Sequence, residues 1–263
     1  MPNQRDAFGL HRQGALRDYL AAARENFNSA PDVDSDLCAI EFVLLEDVER
    51  MLSAALQSVA LRGDLTGFLL GVSGYNLHLG AVRNALTGQP WTVYPLLRAS
   101  LEALCYWARI EAVPGSAKTW LERHKDASAR GQSRKAFTSA VTAVAAELGS
   151  EPDSLGTLLI DMYDSLIDFG AHPNPRALLE TVTFSEYEGR HVVNVSALES
   201  IDSPASRRSM IACAECGAIL TALLKCPPIA KRPLGEPDLS DVVSIFRRTS
   251  AYLDSQNSER SSA

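Results

Sequence analysis

The segment 92–111, TVYPLLRASLEALCYWARIE, limits this chain more than any other. Wound at about 100° per residue, Leu96, Leu97, Leu101, Leu104, Trp107 and Ile110 cover most of its circumference. A helix so apolar has to be surrounded by other helices. Its charged residues before the C-terminal turn, Arg98, Glu102 and Arg109, share one narrow stripe with Cys105. An unpaired buried charge is expensive, so the stripe faces either a crevice or a paired network. Two readings stand. In one, Arg98 and Glu102 form an i,i+4 pair on the helix's only wet edge. In the other, the stripe walls a polar pocket in which Arg98 and Arg109 are forks for a small anionic ligand, oriented by Glu102.

The rest of the chain supplies the surrounding helices. A 3.6-residue apolar period predicts helices near 10–27, 35–62, 65–86, 92–111, 116–130, 134–148, 154–170, 204–225 and 238–254. Ser203 before Pro204 reads as an N-cap followed by a residue that needs no amide partner. Gly63, Gly88 and Gly149 stand where helices should stop. One stretch departs from this pattern. ETVTFSEYEGRHVVNVSAL, 180–198, alternates Val182 and Phe184 with threonines and returns through Val193 and Val195 after Glu188-Gly189. That is a β-hairpin, and a two-stranded ribbon is expected to lean on the bundle. The fold class is therefore all-α: one bundle of eight or nine helices over 10–254 with a hairpin at about 180–197. The polar ends, 1–9 and 255–263, are expected to be disordered.

Composition narrows the function classes. Of the 263 residues 46% are hydrophobic and 22% charged, enough for a core, and the net charge is −7. That acidity disfavours nucleic acid as a partner, except through the one basic stretch, 118–136, where Trp120 would offer a stacking surface. The longest apolar run, 65–82, carries Asn76 and His78 and several glycines, so it reads as a core helix and no membrane partner is expected. Cysteines 38, 105, 213, 216 and 226 lie in apolar helical contexts, and the N-terminus lacks an apolar leader, so a reduced cytoplasmic protein is expected. The CAEC at 213–216 lies mid-helix, where two small buried side chains fit better than a redox pair. No zinc ribbon, phosphate loop, dinucleotide fingerprint or nucleophile elbow is present, and no cofactor is expected.

A second stretch bears on chemistry. In the helix 154–170 the apolar residues form one side, while Asp161, Asp164 and Asp168 form an opposite row that reads as a solvated face. Past Gly170 the turn His172-Pro173-Asn174-Pro175 is stiffened by two prolines. Stiffness suits either a histidine that closes a helix end or one held as a binding group with Asn174.

LLRASLEALCYWAR followed by YDSLIDFGAHPN resembles an uncharacterised family of bacterial helical-bundle proteins, with Arg-x3-Glu on one helix and a Tyr followed by a His at a later helix end. The resemblance covers roughly residues 35–225 and implies a bundle whose matching positions are Arg98, Glu102, Tyr163 and His172. A looser similarity is to HEPN-type helical ribonucleases, whose Arg-x4–6-His motif is absent at His172: residues 165–167 hold no arginine. The function read from all this is a cytosolic binding or regulatory module, homodimeric by the commonest symmetry. Its polar crevice is built from Arg98, Glu102, Arg109, Tyr163, His172 and Asn174. The alternative is an RNA- or nucleotide-processing enzyme of a bacterial defence or toxin-like system, with His172 as acid or base.

Overall fold

The computed structural model describes residues 15–29, 39–60, 65–152, 154–171, 182–187, 189–195, 198–226 and 238–262. In chain order these form α1 (Ala15–Ser29), α2 (Ala39–Ala60), α3 (Leu65–Leu86), α4 (Pro90–Ala112), α5 (Ser116–Leu121), α6 (Ala127–Phe137), α7 (Ala140–Leu148) and α8 (Leu155–Leu166). The strands β1 (Val182–Tyr187) and β2 (Arg190–Val195) follow, then α9 (Pro204–Lys225) and α10 (Ser240–Ser262). The architecture is an all-α bundle with one antiparallel hairpin, in which Val182 faces Val195 and Phe184 faces Val193.

Two helices share the centre. α4 buries Val93, Leu97, Leu101, Leu104 and Ile110, as its sequence requires. α9 goes further, with every residue from Cys216 to Leu224 buried. Each fully buried Leu or Ile there contributes about 1.5–3 kcal/mol relative to leaving it in water. α3 lies against α4 because glycines allow it: a Cβ on Gly67 would stand 2.5 Å from the Trp107 ring, and one on Gly74 3.3 Å from the Ser100 carbonyl. The Ser100 hydroxyl, buried in that seam, donates to the Gly74 carbonyl at 2.7 Å.

The caps follow local chemistry. Ser203 accepts from the Ser206 amide at 3.1 Å with Pro204 behind it, and Asp126 and Ser154 cap α6 and α8 in the same way. Gly88 and Gly149, at φ 76° and 112°, end α3 and α7 as expected; Gly63 lies outside the described residues.

Several expected boundaries change. Where two helices are expected over 116–148, the chain makes α5, a single 3-10 turn at Glu122–His124, α6 and α7. Asp126 is the reason, because its side chain caps a new helix inside the expected one. The C-terminal nine residues, expected to be disordered, continue α10 as far as Ser262. Polarity alone does not end a helix, and no Gly or Pro interrupts 240–262. The expected helix 154–170 becomes α8 plus a π turn, Ile167–Ala171, in which Gly170 has φ 149°. The hairpin's central apolar pair is largely uncovered where packing on the bundle was expected: Phe184 is 73% exposed and Val193, its cross-strand partner, 56%. The expected N-terminal tail, 1–9, lies outside the described residues.

Candidate functional site

The 3.6-residue repeat of α4 puts Arg98 and Glu102 one turn apart, and α8 brings Tyr163 across to them. Arg98 Nε donates to Glu102 Oε1 at 2.9 Å, and Arg98 Nη2 donates to the Tyr163 hydroxyl at 3.2 Å. That hydroxyl in turn donates to the same Glu102 oxygen at 2.9 Å. The guanidinium also lies 5.3 Å from the centre of the Tyr163 ring. The triad is closed, and water reaches it: the Arg98 and Glu102 side chains are 23% and 32% exposed.

Its electrostatics are those of a brace. Burial works against the Arg98 charge, but hydrogen bonds to Glu102 and Tyr163 outweigh it and hold the guanidinium above its ordinary pKa. Burial and the Glu102 hydrogen bond also raise the Tyr163 phenol, against the opposing pull of Arg98. Cys105, behind Glu102 and fully buried, is pushed up to about 12 by burial and then by the Glu102 charge. Near neutral pH the phenol and thiol keep their protons and the guanidinium keeps its charge. None of the three is an activated nucleophile.

The other expected site residues fall elsewhere. Arg109 turns to α7, where it pairs with Glu147 at 3.6 Å, so it is not a second fork beside Arg98. His172 and Asn174 lie outside the described residues. Asp161, Asp164 and Asp168 are exposed, as a solvated face should be. In the basic stretch Arg134 and Lys135 are exposed, but Trp120 packs against the core with its indole nitrogen buried and without a hydrogen bond. Its ring is half-buried. His78 is a core histidine: Nε2 donates to the Cys213 carbonyl at 2.9 Å, and burial lowers its pKa. The Arg-x4–6-His spacing does occur once, at Arg5 and His11, both outside the described residues.

Three features escape a reading by local spacing. First, a second Arg–Glu–Tyr triad joins α2, α9 and α10. The Tyr252 hydroxyl makes a short hydrogen bond to Glu41 Oε1, and Arg207 Nη1 donates to that hydroxyl at 3.1 Å. Arg207 Nε stands 3.7 Å from the same carboxylate, and Glu41 is 2% exposed. Burial, then Glu41, pushes the Tyr252 phenol up to about 12. Second, a charged hollow of about 520 Å³ lies between α2 and α10, where the Asp47 carboxylate takes Arg50 and Arg248, each at 2.6 Å. Its charges answer one another.

The third is a cavity of about 250 Å³ where α4, α8, α9 and α10 meet. Tyr94, Met162, Leu166, Phe169, Ile211, Ala212 and Leu253 give it apolar walls; Ser165, Arg208 and Glu215 are its polar groups. Tyr94 and Phe169 stack at 5.6 Å with their rings inclined by 28°. Pro95 helps this wall: it cannot donate to the Trp91 carbonyl, which instead faces Gly170, where a Cβ would lie 3.4 Å away. Each triad has a member adjoining a lining residue, Tyr163 beside Met162 and Tyr252 beside Leu253. Each triad thus ties down a helix that contributes to the lining. The signal was in the sequence, because Glu215 is the only charge between Arg208 and Lys225. Compared with protein-family models, curated proteins and solved structures, the chain matches none.

Proposed function

We propose that this chain is a binding or regulatory module without chemistry of its own, and that the cavity between α4, α8, α9 and α10 receives its ligand. One observation carries the reading: an apolar-walled space with a few polar groups on its lining, formed by helices that two Arg–Glu–Tyr triads tie together. The polar crevice expected at Arg98, Glu102 and Tyr163 becomes the brace of that cavity rather than the binding surface. A small anion is a poorer candidate for Arg98 because Glu102 already neutralises it. The enzyme reading, RNA or nucleotide processing, is weakened by the same saturation and by the exposed aspartates of α8 and the turn after it, which repel phosphate. A cytosolic location belongs to the proposal, supported by the free buried thiols of Cys105, Cys213 and Cys216. Among the described residues no helix is long and apolar enough to cross a membrane. So does a homodimer, supported by exposed Ile40, Val43, Leu65 and Leu69; sedimentation at micromolar concentration showing only the 28.5 kDa monomer would contradict it.

The experiment is saturation-transfer NMR of a mixed fragment set against the wild type and against Ala212→Phe, which fills the cavity. Fragments that receive saturation from the wild type and lose it in the folded variant support the reading. A set in which no fragment responds, or in which responses are the same for both proteins, contradicts it.

A further inference from the structure

The cavity has a chemical bias that its shape alone does not convey. Glu215 lies on the cavity-facing side of α9, partly buried, with the Thr249 hydroxyl as hydrogen-bond partner. No basic side chain is paired with it among the described residues; Arg208, on the same lining, is two turns away, about 10 Å along the helix axis. A carboxylate held among apolar walls is costly to keep ionised unless a cation meets it. Burial accordingly lifts the Glu215 carboxyl above its ordinary range in spite of the Thr249 bond. The aromatic pair Tyr94–Phe169 lines the same space, and aromatic faces attract cations and apolar bodies alike. The protein's net charge of −7 draws cations towards it.

We infer that the cavity takes a small organic cation with an apolar body, its ammonium group seated on the Glu215 carboxylate and its body between Phe169, Met162 and Leu166. This rests on the proposal that the cavity is a binding site, and it adds the ligand class. The volume of about 250 Å³, at the density of a packed interior, accepts a body of about ten non-hydrogen atoms. The ammonium supplies the charge that Glu215 lacks, and the walls take up apolar surface that water otherwise covers.

Three probes of nearly one shape separate the alternatives: phenethylamine, 2-phenylethanol and phenylacetate, titrated at neutral pH into the full chain by ligand-observed NMR. Glu215→Gln and Ala212→Phe are titrated alongside, each shown by circular dichroism to be folded. The expected result is that the amine binds the wild type about tenfold more tightly than the alcohol, the size of one charge-assisted hydrogen bond. Phenylacetate should be weakest, Glu215→Gln should bring the amine down to the level of the alcohol, and Ala212→Phe should remove all binding. Equal binding of the three probes, or a preference for the alcohol or the acid, overturns the cation assignment and leaves the cavity as a binding site. Failure of all three to bind the wild type at millimolar concentration overturns both.

Discussion

Arg98–Glu102–Tyr163 and Arg207–Glu41–Tyr252 are built from the same three groups joined in the same way: in each, the phenol donates to a carboxylate oxygen and accepts from a guanidinium nitrogen. They differ in where the members come from and in how much water reaches them. The first draws two members from one turn of α4, and its Glu102 side chain is 32% exposed. The second draws one member from each of three helices, and its Glu41 side chain is 2% exposed. Identical chemistry therefore has unequal mechanical weight. A carboxylate in water that loses a partner is solvated; one in the core has nothing to replace it.

The comparison is broken most forcefully at the carboxylates. Glu41→Ala takes the acceptor away from the buried Tyr252 hydroxyl, where no water replaces it, and is expected to cost about 1–3 kcal/mol, whereas Glu102→Ala should cost about 1 kcal/mol or less because water reaches the groups it leaves. Urea midpoints of the two variants check this, and equal shifts would show that burial is not what separates the triads. The phenols give a second version of the same contrast. Tyr252→Phe, which strands a buried carboxylate oxygen, is expected to cost about 1–3 kcal/mol, and Tyr163→Phe about 0.5–1 kcal/mol. Added salt should shrink the second effect more than the first.

A pH experiment sharpens the contrast further. Tyr252 is held at about 12 in the folded state against an ordinary 10.0, so the folded protein keeps a proton that the unfolded chain releases. Its contribution is whole below pH 10 and fades as the pH climbs towards about 12. The stability gap between wild type and Tyr252→Phe should therefore narrow across that window. A gap that stays constant over it would show that burial and Glu41 do not raise the phenol in the folded state. At the bottom of the scale, Asp164→Ala on the exposed row should stay within about 0.5 kcal/mol of wild type by the same urea measurement.

The two triads also mark how far local spacing can be read. Arg98 and Glu102 were visible because a helix repeats every 3.6 residues, and the caps at Ser203 and Gly149 were visible because they are local chemistry. Helices on either side of those caps follow directly. Glu41, Arg207 and Tyr252 have no local relation; only the packing of α2, α9 and α10 brings them together. A weaker sign was present: Glu41 is the only charge in AIEFVLL, 39–45, as Glu215 is the only charge between Arg208 and Lys225. A lone carboxylate in an apolar helical run has to be answered from another element. For Glu41 that answer is Arg207 and Tyr252. Glu215 has the Thr249 hydroxyl and the cavity. The break between α5 and α6 falls inside the helix expected over 116–130, because Asp126 caps a new helix there and periodicity does not reveal which carboxylates act as caps.

The most direct test of the account uses methionine methyl groups, because the two hollows each have one. Met162 lines the cavity beside Glu215, and Met51 lines the charged hollow between α2 and α10. With 13C-methyl methionine in the full chain, and assignments fixed by Met162→Leu and Met51→Leu, phenethylamine is titrated at neutral pH. The account predicts that the Met162 resonance moves and saturates while that of Met51 stays in place. Movement of Met51 with Met162 unchanged, or no movement of either, would contradict it.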